Sequence, residues 1–192
     1  MRTASTLFRR RGYDGVGLSE ILAASGAPKG SFYHHFPGGK AQLGRACMVE
    51  AGAQVGAAID AAFADAPDFA AGIRRFVGAI ADWFERAGFA EGCPVAAIAV
   101  ATTLQSKADA EAAQAVFDDW RRRLLGHAAR FGAALEDGDL ELLLMLIEGA
   151  WIVARIRRSK EPLIRAGEAF LRGRPAPTTV AACDPSPPTP PW

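Results

Sequence analysis

Apolar residues recur at helical spacing along nearly the whole chain. Leu7 and Phe8 face inward in a first helix over 3–11, stopped by Gly12. Leu18, Ile21 and Leu22 fall at i, i+3 and i+4 in a second helix over 18–25, which Gly26 ends in a left-handed conformation. Pro28 has its φ preset for the first position of a third helix. Phe32 and Phe36, four apart, bury one side of that helix and leave Lys29, Ser31, Tyr33 and His34 off it. A long fourth helix rich in Ala and Gly runs over 40–63. The fifth covers 68–88, with Phe69, Ile73, Phe76, Ile80, Trp83 and Phe84 in helical register. Gly92-Cys93-Pro94 breaks the chain before a short apolar helix over 95–104. An amphipathic helix over 108–134 carries Val116, Phe117, Trp120, Leu124, His127 and Phe131 along one side. Gly138 resets the chain for an eighth helix over 139–159, apolar nearly all round, and Pro162 admits a ninth to residue 172. No alternating strand pattern, Asn-Gly hairpin or internal repeat appears, so the expected fold is all-α. The proline-rich stretch 175–192 reads as a disordered tail.

Composition adds one asymmetry. The 192 residues carry a net charge of only +1. Yet residues 1–50 hold seven Lys and Arg against three Asp and Glu, and the remainder is slightly acidic. A basic N-terminal quarter on a larger body fits a small nucleic-acid module joined to something else, although ordinary charge fluctuation explains it equally well. Cys47, Cys93 and Cys183 show no paired ligand spacing, which points to reduced thiols in a cytoplasmic protein. Residues 2–11 lack the apolar core of a signal peptide. The most apolar run, 140–154, contains Glu141 and Glu148 and is too short to cross a bilayer, so no membrane partner is expected.

The chemistry concentrates between Gly26 and Leu43. A glycine turn between two short helices, the second presenting polar and aromatic groups, is the plan of a helix-turn-helix DNA reader. Lys29 carries charge at a helix start, Gly30 permits close backbone approach, and Ser31 and His34 offer hydrogen bonds to base edges or phosphates. Tyr33 presents a rigid ring whose phenol reaches a phosphate. Lys40 opens the next helix, where free amides favour an anion. A plain solvated surface helix is the alternative. His34 and His35 are adjacent and face different ways, with no carboxylate or thiol at ligand spacing, so no metal site is expected. Cys93 lies beside a helix start, which lowers a thiol pKa, but nothing else marks it as reactive. No nucleophile elbow or phosphate loop is present, and neither an enzyme nor a cofactor is expected.

Leu7-Phe8, Gly12-Tyr13, Leu18 to Ile21, Gly26, Lys29-Gly30-Ser31, Tyr33-His34-His35-Phe36 and Lys40-Ala41-Gln42-Leu43 resemble the DNA-binding domain of the TetR family of bacterial repressors. The forms Gly-Ala-Pro-Lys-Gly-Ser and Tyr-His-His-Phe-Pro-Gly-Gly-Lys resemble its LmrA/YxaF branch. So do Gly92-Cys93-Pro94-Val95-Ala96, Glu148-Gly149-Ala150, Ser159 and Pro162-Leu163. The likeness covers residues 3–172. It implies a nine-helix, two-domain homodimer that represses transcription and leaves a near-palindromic double-stranded operator when a small-molecule inducer binds. The implied domains are a DNA-binding head over 1–45 and a ligand-binding and dimerisation body over 46–173, with the tail at 174–192. Lys29, Gly30, Ser31, Tyr33 and His34 would belong to the recognition helix, and Lys40 would contact phosphate. Two departures stand out: the first helix begins late for the family, and Val16 occupies a position where Thr is common.

Phe76, Trp83, Phe117, Trp120, Phe131 and Trp151 either line a cavity for an apolar or aromatic inducer or are plain core. Ile80, Ile98 and Leu124 would complete the lining, with Glu148 and His127 as its polar groups. The all-round apolar eighth helix needs more partners than one domain supplies. A second subunit would meet it at Leu143, Ile147, Gly149, Ala150 and Ala154; a buried central helix in a monomer is the alternative. Two readings from other classes remain: a helical small-molecule-binding protein that has lost DNA binding, and a small helical enzyme.

Overall fold

The structure is a computed structural model that describes residues 1–173. Those residues form nine α-helices and no strand. The expected tail at 174–192, with Cys183, lies outside them.

The head contains α1 (Arg2–Arg11), α2 (Leu18–Ser25) and α3 (Lys29–His35). Ala4 and Phe8 of α1, Val16, Ile21 of α2 and Phe32 of α3 close its core, and Leu43 joins them from α4 (Gly39–Phe63). That fourth helix continues out of the head along the body. The body comprises α5 (Phe69–Arg86), α6 (Ala96–Thr102), α7 (Lys107–Arg130), α8 (Asp137–Arg157) and α9 (Glu161–Arg172). α9 packs between α5 and α8, and α4 lies along α7.

Local chemistry explains the boundaries. The Asp68 carboxylate accepts from the Ala71 amide at 2.7 Å to start α5, and Ser106 does the same for α7 through Asp109 at 3.2 Å. α8 starts on a reciprocal pair, in which Glu136 and Asp139 each accept from the other's amide. Gly138 therefore lies inside α8, not at its start. The break falls earlier, at Gly132, with φ 65°. α7 accordingly stops at Arg130, four residues before the sequence pattern suggests. Pro28 is the residue before α3, with extended ψ 136°, and not its first turn. α6 is also shorter than its apolar run, and Leu104 beyond it is 95% exposed.

Candidate nucleic-acid interface

The α2–α3 corner is built from local hydrogen bonds. Gly26 turns the chain at φ 65°, ψ 13° and donates to the carbonyl of Ala23. Ser25 Oγ donates to the Leu22 carbonyl and accepts from the Ala27 amide. The Pro28 carbonyl then accepts from the Phe32 amide at 3.0 Å, and α3 begins. Phe32 is 7% exposed and anchors α3 to the head core, with the half-buried Phe36 ring 5.5 Å from it.

On the other side Lys29, Gly30, Ser31, Tyr33 and His34 are all exposed. The Tyr33 ring stands edge-on to Phe32 at 5.2 Å and is 43% exposed. A Cβ on Gly30 would meet nothing within 4 Å. The chain's own packing thus does not demand glycine there, whereas close approach by an outside backbone would. These five residues are exposed around a short helix that Phe32 anchors to the head core.

Lys40 lies in the first turn of α4. Its ammonium is over the Tyr13 ring, 4.0 Å from the centroid. A cation in a first helical turn opposes the helix dipole. The aromatic face compensates, and an arriving anion would be favoured by ammonium and amides together.

The head is tied to the body by contacts that spacing along the chain did not reveal. Glu91, 6% exposed, accepts from Arg9 Nε at 2.7 Å and from Arg10 Nε at 3.3 Å. The Gly92 amide donates to the Arg9 carbonyl, and the Tyr13 amide donates to the Ala97 carbonyl of α6. From α8, Trp151 Nε1 donates to the Glu91 carbonyl at 3.1 Å, and Arg155 donates to the carbonyls of Arg10 and Ala90. Residues 90–93 are therefore a junction of α1, α8 and, through Trp83 beneath the Arg9 guanidinium, α5. A lone Glu between Ala90 and Gly92 carries no sequence signal for this role.

The residues expected to line a ligand cavity are distributed over four neighbourhoods. Ile98 is fully buried beside Gly44 of α4. On α7, Leu124 is buried, Phe117 packs edge-on to Trp120 at 5.2 Å, and Trp120 Nε1 donates to the Gly52 carbonyl at 2.8 Å. Trp83 packs edge-on to Trp151 at 5.9 Å, while Phe76 is buried and Ile80 half-buried along α5. The largely buried Glu148 carboxyl pairs with the Cys93 thiol near this last group. Burial pushes both pKa values up, the thiol's far above its ordinary value, so the helix start next to Cys93 does not activate it. Of the two remaining expected residues, His127 stacks on Phe63 at 4.4 Å and meets Asp60 at 3.0 Å, and Phe131 packs on Phe63.

Of the five residues expected at a subunit contact, Leu143, Ile147 and Ala154 are buried in the chain's own core. Gly149 and Ala150 instead line an open groove of about 480 Å³ between α8 and α9, with Met145, Val153, Pro162 and Arg165. Leu142, Met145, Ile152, Val153 and Ile156 form the exposed apolar side of α8, Met145 at 63% and Ile156 at 78%. Among the described residues no group of three or more His, Cys, Asp or Glu could hold a metal ion, and no helix is long and apolar enough to cross a membrane.

Residues 1–47 match the family of bacterial regulatory proteins of the tetR type, and residues 70–169 match the C-terminal domain of LmrA/YxaF-like transcriptional regulators. The HTH-type transcriptional regulator YxaF of Bacillus subtilis is 31% identical over 170 residues, covering 88% of this chain and 89% of that one. A TetR regulatory protein from Rhodobacter sphaeroides superposes with a TM-score of 0.79 at 30% identity, over 89% of this chain and 94% of the other. The regulator CifR, in a complex with 26-base-pair operator DNA, has the same fold, with a TM-score of 0.73 at 24% identity over 91% and 94% of the two chains. These two family matches, with 31% identity to YxaF across most of both chains, make this chain a member of the TetR family of DNA-binding transcriptional regulators, with an LmrA/YxaF-like C-terminal domain.

Proposed function

We propose that the protein is a cytoplasmic, ligand-responsive repressor that binds a near-palindromic operator as a homodimer and is released by an apolar or aromatic small-molecule inducer. The observation that carries this reading is the α3 face: Lys29, Ser31, Tyr33 and His34 exposed together on a helix held from behind by Phe32. In it Lys29, Ser31 and His34 meet base edges or phosphates, Gly30 admits the backbone closely, Tyr33 reaches a phosphate, and Lys40 grips a phosphate from the start of α4.

The division into a DNA-binding head over 1–45 and a ligand-binding and dimerisation body over 46–173 follows the same reading. The dimer contact falls on the exposed side of α8 and the groove it shares with α9, where Met145, Gly149, Val153 and Ile156 remain uncovered. An isologous contact there places two copies of α3 roughly 34 Å apart, one duplex turn. An inducer favours release by its difference in affinity for the two arrangements. Trp83, Trp151 and Glu148 are the inducer contacts best placed to act, because Trp151 also holds the junction that grips α1.

The test is fluorescence anisotropy with a labelled duplex from upstream of the protein's own gene, in excess unlabelled mixed-sequence competitor. Wild-type protein binds, and Tyr33→Ala loses at least tenfold in affinity while melting at the wild-type temperature. No binding above competitor by wild-type protein sinks the reading.

A further inference from the structure

Tyr13 lies between α1 and α2, outside the recognition helix, and both its ring and its backbone meet neighbouring elements. The Phe8 ring packs on it at 5.3 Å. Gly44 of α4 runs so close that a Cβ there would come within 2.7 Å of Tyr13 Cε2. The Tyr13 amide donates to the Ala97 carbonyl of α6 at 3.0 Å, and the Tyr13 carbonyl accepts from the Val16 amide. Over this half-buried ring, 4.0 Å from the centroid, sits the Lys40 ammonium. Lysine is a flexible side chain that loses much rotamer freedom when held in one place. Two forces bear on this ammonium: the start of α4 repels it and the quadrupole of the ring attracts it. The phenol's pKa is raised by burial and then by Asp109 and Asp14, so the ring acts at neutral pH as a neutral π face.

We propose that Tyr13 is a positioning residue for DNA binding: its aromatic face parks the Lys40 ammonium at the start of α4, ready to meet a backbone phosphate. This rests on the reading of Lys40 as a phosphate contact. The α6 carbonyl that anchors Tyr13 makes the phosphate grip depend on a contact between head and body.

Salt dependence separates positioning from mere packing, because each phosphate contact adds about 0.9 to the slope of log affinity against log salt. With the labelled upstream duplex, Lys40→Ala flattens the slope by about one. Tyr13→Leu, which fills the site but has no π face, does the same, and Tyr13→Leu with Lys40→Ala flattens it no further. Tyr13→Phe keeps the face and restores the wild-type slope. If Tyr13→Leu weakens binding at unchanged slope while Lys40→Ala flattens it, the positioning role is overturned and the phosphate contact stands. If Lys40→Ala leaves the slope unchanged, both fall.

Should Tyr13→Leu fail to fold, proton NMR of the wild-type protein decides. The Lys40 ε-methylene resonance, assigned by its loss in Lys40→Ala, lies upfield of those of Lys29 and Lys107 because of the Tyr13 ring current. Coincidence with those lysines overturns the proposal.

Discussion

Glu148 and Cys93 place an ionisable pair where solvent is scarce, and the direction of the Glu148 shift sets a pH signature. Burial raises its pKa above the ordinary 4.5, so the folded chain keeps a proton that the unfolded chain has released. The stability it contributes is full below about 4.5 and is lost as pH rises through the folded value. Glu148→Gln cannot ionise and should gain on the wild type in urea midpoint as pH rises above about 4.5, with no pH-dependent gain below it. A constant difference across the whole range contradicts the shift. Asp82, Asp119 and Glu168 act oppositely: Lys160, Arg123 and Arg74 lower their pKa values, so their contribution holds at neutral pH and disappears in acid. Trp120 offers a second test. Trp120→Phe removes its bond to the Gly52 carbonyl and leaves space in a buried site, at a cost of about 1–3 kcal/mol in denaturant unfolding. An unchanged midpoint would mean that the bond contributes little. Helical spacing marks Trp120 as inward, but whether its indole faces a cavity or a backbone carbonyl is decided by a partner 68 residues away. Sequence periodicity does not reach that far.

Helices whose ends depend on neighbouring residues were readable from the chain. Gly26 stops α2 because its left-handed conformation suits glycine, and Phe32 faces inward because it lies in register with the apolar positions of the head. The α7–α8 turn was misplaced because Gly132 and Gly138 look alike in sequence. The capping pair Glu136 and Asp139 decides between them: with a helix start fixed at residue 137, Gly138 has to be helical. The apolar pattern runs nearly all round α8 and hides which side faces inward: it assigns Leu143, Ile147 and Ala154 to a subunit contact, and the structure buries them in the chain's own core. Only packing against α9 and the loop at 90–93 puts Leu143, Ile147 and Ala154 inside and Met145, Ile152 and Ile156 outside. Close helix approach also depends on tertiary partners. A Cβ at Gly72 of α5 would fall 2.2 Å from the Phe63 ring of α4, and that ring is itself stacked on His127. Gly72→Ala should therefore destabilise by about 1–3 kcal/mol despite the better helix propensity of alanine. A gain in thermal midpoint would show that α4 and α5 are not so closely apposed.

Across the whole molecule, the junction at Glu91 makes the head and body mechanically continuous. Arg9, Arg10 and Arg155 tie α1 and α8 to residues 90–93, where Trp151 also donates to the Glu91 carbonyl. Glu91→Ala leaves the largely buried Arg9 without its partner and should cost about 1–3 kcal/mol, with faster amide exchange in α1 than in α7. Equal exchange in both helices would contradict a joint specific to the head. The apolar side of α8 gives a matching test of assembly: Ile152→Arg puts a charge on it and should convert a dimer to monomers in analytical ultracentrifugation, whereas a dimer that persists places the contact elsewhere.

The most direct test of the account is a hydroxyl-radical footprint of the wild-type protein on the duplex from upstream of its own gene. Two α3 helices in successive major grooves predict two protected patches about one duplex turn apart, related by a two-fold axis and both lost in Tyr33→Ala. A single patch, or protection unaltered by Tyr33→Ala, would contradict it.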